Sequence, residues 1–299
     1  MSPDRPPVAT GLVREGVPLG PLTTYKAGGP ARLFAEVESI EDLMSLVDSG
    51  LTREHPLLVL GRGSNLLVAD DGFDGLVVHL GLGFAAIEVS EDRVEAGGAA
   101  PLPRVARTAV EAGVLGLEFF VGVPGSVGGA VRQNAGCFDV ETTDRLITAR
   151  ILDLADGTIR ESGPSQLDLS YRHSNVSADE VILSARFQGE KGPEEDGKRL
   201  MREITRWRKE NQPGGTLNAG SVFKNPPGMA AGDLIDRLGL KGMAIGSVSV
   251  SEKHANFFVA GPDATSAQIR ELVERVKDTV LERSGTMLEP EIQFVGFVQ

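Results

Sequence analysis

The sequence predicts an α+β protein of two or three compact units, and three observations carry that expectation. Short β-like runs alternate with one helix between Arg32 and His79, β-like runs dominate from Ile87 to Phe187, and a long amphipathic helix comes only at Thr265 to Arg283. With 299 residues, 41% apolar and 24% charged, the chain is long enough to bury more than one core.

Taken in order, Met1 to Gly11 carries Pro, Asp and Arg without the charged-then-apolar layout of a secretory leader, so it reads as a short arm, with the first 22 residues outside the first domain. The first unit, 23–80, holds β-like runs at Leu33 to Val37, Leu57 to Leu60 and Leu76 to Leu80 around a helix at Ile40 to Val47. Ser39 can cap that helix, Asp42 stands three residues on, and Gly50 lies beyond its end. The second unit, 81–197, has β-like runs at Arg93 to Ala96, Thr148 to Leu152, Thr158 to Glu161 and Val181 to Phe187, and a helix at Leu102 to Ala112 stopped by Gly113. Gly189 to Gly197 is polar and without period, and reads as a solvated connection. In the third unit, 198–287, Leu200, Ile204 and Trp207 fall on one helical face. The later helix has a capping box at Thr265 and Gln268, a core stripe of Ile269, Leu272, Val273, Val276 and Val280, and Gly285 to end it. Residues 288–299 are expected to return as a strand to the first unit.

Charge and cysteine content narrow the functions. The 30 basic and 42 acidic residues leave −12, which argues against a broad nucleic-acid surface. Cys137 is the only cysteine, so neither an internal disulfide nor a cysteine metal cage can form, and a reducing cytoplasm suits the chain. The longest apolar runs fall far short of the roughly 20 residues of a membrane-spanning helix. The expected partners are therefore small molecules, with no nucleic acid, membrane, metal or obligate protein partner.

The 37 glycines are not scattered evenly, and two glycine-rich loops stand out. Gly61-Arg62-Gly63-Ser64-Asn65-Leu66 comes directly after an apolar strand, where a glycine turn can present backbone N–H groups to an anion. From Leu66 to Gly72 the chain reads as strand and turn instead of helix, so the dipole logic of a dinucleotide fingerprint does not apply. Gly122-Val123-Pro124-Gly125-Ser126-Val127-Gly128-Gly129-Ala130, with Asn134 just beyond, has four glycines in eight residues, a bare backbone suited to a flat ring or diphosphate. Pro124 and the β-branched Val123 and Val127 stiffen it against the alternative of a merely flexible loop.

A third motif, Asn218-Ala219-Gly220-Ser221-Val222-Phe223-Lys224-Asn225-Pro226, puts a hydroxyl among small residues with a cation and an amide close behind. Tyr171-Arg172-His173-Ser174 adds an aromatic hydroxyl and a fixed cation, and Glu289-Pro290-Glu291 adds carboxylates, each of which could equally serve a surface salt bridge.

In this order the segments resemble the UDP-N-acetylenolpyruvoylglucosamine reductase family, within the flavoproteins that share a vanillyl-alcohol-oxidase-like FAD domain. The resemblance runs from Thr23 to Gly296 and includes Thr24-Tyr25-Lys26-Ala27-Gly28-Gly29, Gly239-Leu240-Lys241-Gly242 and Ser251-Glu252-Lys253-His254-Ala255-Asn256-Phe257. It implies a two-part FAD-binding domain with a smaller α/β substrate-binding domain, and NADPH as co-substrate. It places FAD on Gly61, Arg62, Gly63, Ser64, Asn65, Leu66, Val123, Pro124, Gly125, Ser126, Gly128, Gly129, Ala130 and Asn134. It matches the family's catalytic arginine, serine and glutamate to Arg172, Ser221 and Glu291, with Tyr171, Lys224 and Asn225 toward substrate. In that scheme Ser221 delivers a proton, and Glu291 needs a raised pKa to hold the enolic form.

The chain departs from the family pattern at Cys137 and at Gly246-Ser247-Val248. Its only tyrosines, Tyr25 and Tyr171, match the branch without a substrate-closing tyrosine loop. The histidines, His55, His79, His173 and His254, lie outside both glycine loops, so the FAD is expected to be non-covalent. The competing readings are an oxidase or dehydrogenase of the same FAD class acting on an alcohol or lactone, and a non-catalytic flavin or UDP-sugar binding protein.

Overall fold

The computed structural model describes residues 11–297, so most of the expected Met1 to Gly11 arm lies outside the described residues. The chain divides into two units. One comprises Arg32–Arg62 and Asp74–Arg206 with the chain up to Gly16; the other comprises Val17–Ala31, Gly63–Phe73 and the chain from Trp207 on.

The first unit is centred on a five-stranded antiparallel sheet in the order Ile159–Ser162, Leu146–Asp153, Glu180–Gln188, Arg93–Gly97, Ile87–Ser90. The central strand Glu180–Gln188 buries Val181, Leu183, Ala185 and Phe187 in alternation, together with Ile182 beside them. Such a strand has neighbours on both edges and a covered face, so its apolar side chains leave water together. Helix Leu102–Glu111 packs Leu102, Val105, Ala106 and Ala109 into the core that holds Ile182, Ala185 and Phe187, while Val181 and Leu183 join a second cluster. A four-stranded sheet has the order Val13–Pro18, Pro30–Val37, Phe73–Leu80, Leu57–Leu60, the last pair parallel. The helix Ile40–Ser49 accompanies its core. Ser39 accepts from the Asp42 N–H, Asp42 answers the Ser39 N–H, and Gly50 closes the helix at φ 77°. A cap of this kind is worth about 1 kcal/mol.

The second unit pairs a three-stranded antiparallel sheet, Ala244–Ile245, Val248–Val250, Phe258–Ala260, with the helix Ser266–Ser284. All five residues of the expected stripe, Ile269 through Val280, are fully buried, and Thr265 and Gln268 make the capping box. Leu66–Val68 pairs in parallel with Gln293–Val295.

Two expectations change. Val13–Pro18, placed in the N-terminal arm, is a strand at the edge of the four-stranded sheet. Gly189 to Gly197, though largely solvent-accessible, is no irregular connection: Glu190–Lys191 pairs with Val114–Leu115, and a helix begins at Glu194. Gly197 sits buried in its first turns, where a Cβ would meet Val110 Cγ2 at 2.7 Å. Two-residue pairing leaves no alternation to read, and the acidic Glu194, Glu195 and Asp196 that resemble a linker suit a positive helix N-terminus. On that helix Ile204 is buried, while Leu200 and Trp207 are exposed.

Candidate active site

The two glycine loops are held in different ways. In the first unit, the Gly125 carbonyl accepts from Leu102 N–H, and Val127 and Gly128 N–H donate to the Ala100 and Gly98 carbonyls at 3.0 and 2.8 Å. The second loop is thus pinned to 98–102. A Cβ on Gly61 would come within 2.8 Å of Ser126 Oγ, so the loops touch where Gly61 lacks a side chain. Gly129 is exposed, and a Cβ there would meet only Ser126 Oγ, at 3.7 Å. This bare, fixed backbone fits close approach of the flat ring or diphosphate of a flavin nucleotide.

Gly63 answers a structural demand: its φ is +59°, and a Cβ would fall 2.4 Å from the Leu22 carbonyl oxygen. Asn65 donates from Nδ2 to the Glu291 carbonyl at 2.9 Å and its own carbonyl accepts from Gln293 N–H at 3.0 Å, tying the end of that loop to the 291–293 segment. Leu66 is buried in the strand that continues this contact. Asn134, fully buried at φ +43°, gives its amide to Glu141 and Ser170 and its oxygen to Thr143 N–H. Its side chain is committed to protein partners.

Arg172 lies in the first unit, in a tight turn in which Ser170 and His173 exchange backbone hydrogen bonds. Its φ is +53°, its guanidinium lies 4.8 Å over the exposed Tyr171 ring, and Nη1 pairs with Glu141 Oε1 at 3.2 Å.

Ser221 and Glu291 both belong to the second unit, where the 221–224 and 289–291 segments run antiparallel. Phe223 bridges Pro290, Lys224 N–H donates to the Glu289 carbonyl, and Glu291 N–H donates to the Val222 carbonyl at 2.8 Å. The register sets Glu291 opposite Val222, the residue that follows Ser221. Before the serine, Gly220 has φ +78° with open space around it, and its N–H closes a turn onto Asn218 Oδ1. Lys224 is ion-paired to Glu289 at 2.6 Å, and Asn225 Oδ1 accepts from Ala231 N–H.

Sequence reasoning gave Asn256 no task. It is buried at 2% exposure, donates to the Phe223 carbonyl at 2.8 Å, accepts from the Phe223 N–H at 2.9 Å, and receives Val222 N–H on its own carbonyl. One amide thus stands in for a strand neighbour and fixes the serine segment. His254 beside it accepts from Asn256 N–H on Nδ1, and burial pushes its pKa down. Tyr25, fully buried, donates to the Phe258 carbonyl, and its pKa is driven up by the same loss of water.

Residues 31–163 match the FAD binding domain family, and residues 212–295 match the family described as UDP-N-acetylenolpyruvoylglucosamine reductase, C-terminal domain. The fold and the glycine cradle thus define an FAD-dependent oxidoreductase. A relative so named from Paramagnetospirillum magneticum is 42% identical over 98% of this chain and 95% of its own length. The crystal structure of the enzyme from Thermus caldophilus superposes with a TM-score of 0.83 at 36% identity, over 95% of this chain and 99% of that one. The chain belongs to the UDP-N-acetylenolpyruvoylglucosamine reductase family. The 6-hydroxy-D-nicotine oxidase of Arthrobacter nicotinovorans, TM-score 0.53 at 13% identity over 86% of this chain and 82% of that one, shares the fold alone. Among the described residues no helix is long and apolar enough to cross a membrane.

Proposed function

We propose that the chain reduces the enolpyruvyl group of UDP-N-acetylglucosamine enolpyruvate to the lactyl ether of UDP-N-acetylmuramate, with NADPH as electron source in a ping-pong scheme. The observation that carries this reading, given the family, is the Ser221 segment locked beside Glu291 by strand pairing and by Asn256. FAD, when bound, relays the hydride from NADPH to the terminal vinyl carbon of the sugar in two separate half-reactions. Gly61, Gly125 and Gly129 offer the backbone cradle for it, with Arg62, Ser64, Val123, Pro124, Ser126, Gly128 and Ala130 around them. No histidine or cysteine lies within either glycine loop, so the flavin is held non-covalently.

Addition to the vinyl carbon drives negative charge into the substrate carboxylate. Arg172 supplies a permanent forked cation against that charge. Ser221 gives its hydroxyl proton to the adjacent carbon, and Glu291 holds the enolic oxygen. A serine hydroxyl is a weak acid, so this transfer depends on a fixed short approach to a strongly basic centre. Tyr171, Lys224 and Asn225 serve the sugar nucleotide, Lys224 exchanging its Glu289 partner for phosphate.

Anaerobic titration tests the whole reading. The yellow protein bleaches with NADPH and recolours on adding the enolpyruvyl sugar. Recolouring by air alone at a comparable rate would identify an oxidase, and failure to bleach would identify a binding protein.

A further inference from the structure

The Arg172 guanidinium is held by a carboxylate that is itself anchored. Glu141 ends a hairpin whose strands are Gly136–Cys137 and Val140–Glu141. Its Oε1 accepts from Arg172 Nη1 at 3.2 Å and its Oε2 from Asn134 Nδ2 at 2.8 Å, while the Glu141 N–H donates to Asp144 Oδ2 at 2.8 Å. The Gly136 carbonyl, on the facing strand, takes Arg172 Nη2 at 3.5 Å. Asn134 then joins this carboxylate to the turn that carries the arginine, since the same amide donates to the Ser170 carbonyl at 3.0 Å.

An exposed ion pair is weak because two long side chains must be ordered to make it. Here the acid is ordered by the buried Asn134 amide and by its own backbone N–H on Asp144, and the pair is mostly out of water, with side-chain exposures of 18% for Arg172 and 28% for Glu141. Holding both Nη atoms on protein oxygens fixes the plane of the rigid guanidinium fork.

Backbone strain gathers at the same place. Seven described non-glycine residues have positive φ, and four of them, Asn134, Phe138, Asp139 and Arg172, lie in this hairpin, just ahead of it or in the arginine turn. Such conformations persist only where surrounding contacts over-determine them, and they collect where geometry serves function.

We propose that Glu141 is a positioning residue, setting the plane and reach of Arg172 for the substrate carboxylate. This rests on Arg172 being the cation that meets that carboxylate. The test is a double-mutant cycle, with Glu141→Ala, Arg172→Ala and both together, read by stopped-flow absorbance of the two half-reactions at saturating substrate. A misplacement of about 1 Å costs on the order of 10²-fold, so Glu141→Ala should slow flavin reoxidation by the enolpyruvyl sugar about 10- to 100-fold. Flavin reduction by NADPH should stay within about twofold, and in the Arg172→Ala background the second substitution should add no more than about twofold to the reoxidation loss. Equal slowing of both half-reactions, or an undiminished effect in the Arg172→Ala background, assigns Glu141 to the fold and overturns the proposal. Wild-type reoxidation in Glu141→Ala beside slow Arg172→Ala overturns it while leaving Arg172 in place. Wild-type reoxidation in Arg172→Ala overturns both. If Glu141→Ala fails to retain flavin, Glu141→Gln, which keeps the size and one acceptor, enters the same cycle.

Discussion

Replacing Asn256 by alanine should loosen the segment that carries Ser221 by an amount the geometry sets. The amide is 2% exposed and makes both hydrogen bonds of the fully buried Phe223 backbone, at 2.8 and 2.9 Å. Alanine leaves a buried N–H and a buried C=O without these partners, at about 1–3 kcal/mol each, or about 2–6 kcal/mol together. The loss falls on local opening, so amide exchange of Phe223 should quicken at least about 30-fold, up to the limit set by global unfolding. Hydrogen exchange read on a peptide covering 221–224 measures it. Asn256→Asp offers a check of opposite sign. Its carboxylate would face the Phe223 carbonyl, which raises the folded pKa above the unfolded value of about 3.9. The protonated acid can donate where the asparagine did, so this variant should gain stability as the pH falls. Exchange at Phe223 within about threefold of wild type in Asn256→Ala would refute the reasoning.

The remaining expectations concern the half-reactions and pH. Ser221→Ala should leave NADPH-driven bleaching nearly intact and slow reoxidation by at least about 10²-fold, with Ser221→Cys recovering part; wild-type single-turnover reoxidation at saturation would remove the proton-donor role. Arg172→Lys should slow reoxidation far more than reduction, because an ammonium cannot reproduce a fork on a carboxylate, and equal slowing would assign Arg172 to NADPH or to structure. Burial lowers the folded pKa of His254, so the unfolded chain binds its proton first, at about pH 6.5. His254 therefore costs stability as the pH falls from about 6.5 toward the folded value, and thermal melts at about pH 7.5 and about pH 5.5 should show a smaller acid loss in His254→Asn than in wild type. An equal loss would place the acid sensitivity elsewhere.

The features legible in the sequence were local ones. The helix Ser266–Ser284 announced itself through five apolar residues at helical spacing, a capping box and a terminal glycine, all within a few turns. The glycine loops were visible because bare backbone is a composition signal, yet the reason for Gly63, the Leu22 carbonyl, is a contact across the fold. Glu141 and Arg172 stand 31 residues apart, and Asn256 and Phe223 stand 33 apart. A side chain that completes a distant backbone or steadies a distant cation has no period and no fixed spacing. Val13–Pro18 escaped for a related reason: an edge strand with mostly exposed side chains shows little alternation of burial.

The parallel pairing of Leu66–Val68 with Gln293–Val295 also orders events during synthesis. Asn65 and its partner Glu291 are 226 residues apart, so at ~5–20 residues per second roughly 10–45 s pass on the ribosome between them. The strands between Ile87 and Gln188 have their partners available well before then. Three apolar residues that end buried, Leu66, Leu67 and Val68, wait unpaired throughout that interval as a stretch a chaperone can hold. The Gly61–Asn65 loop leading into them therefore gains its ties to the 291–293 segment only after the chain of the five-stranded sheet has been made.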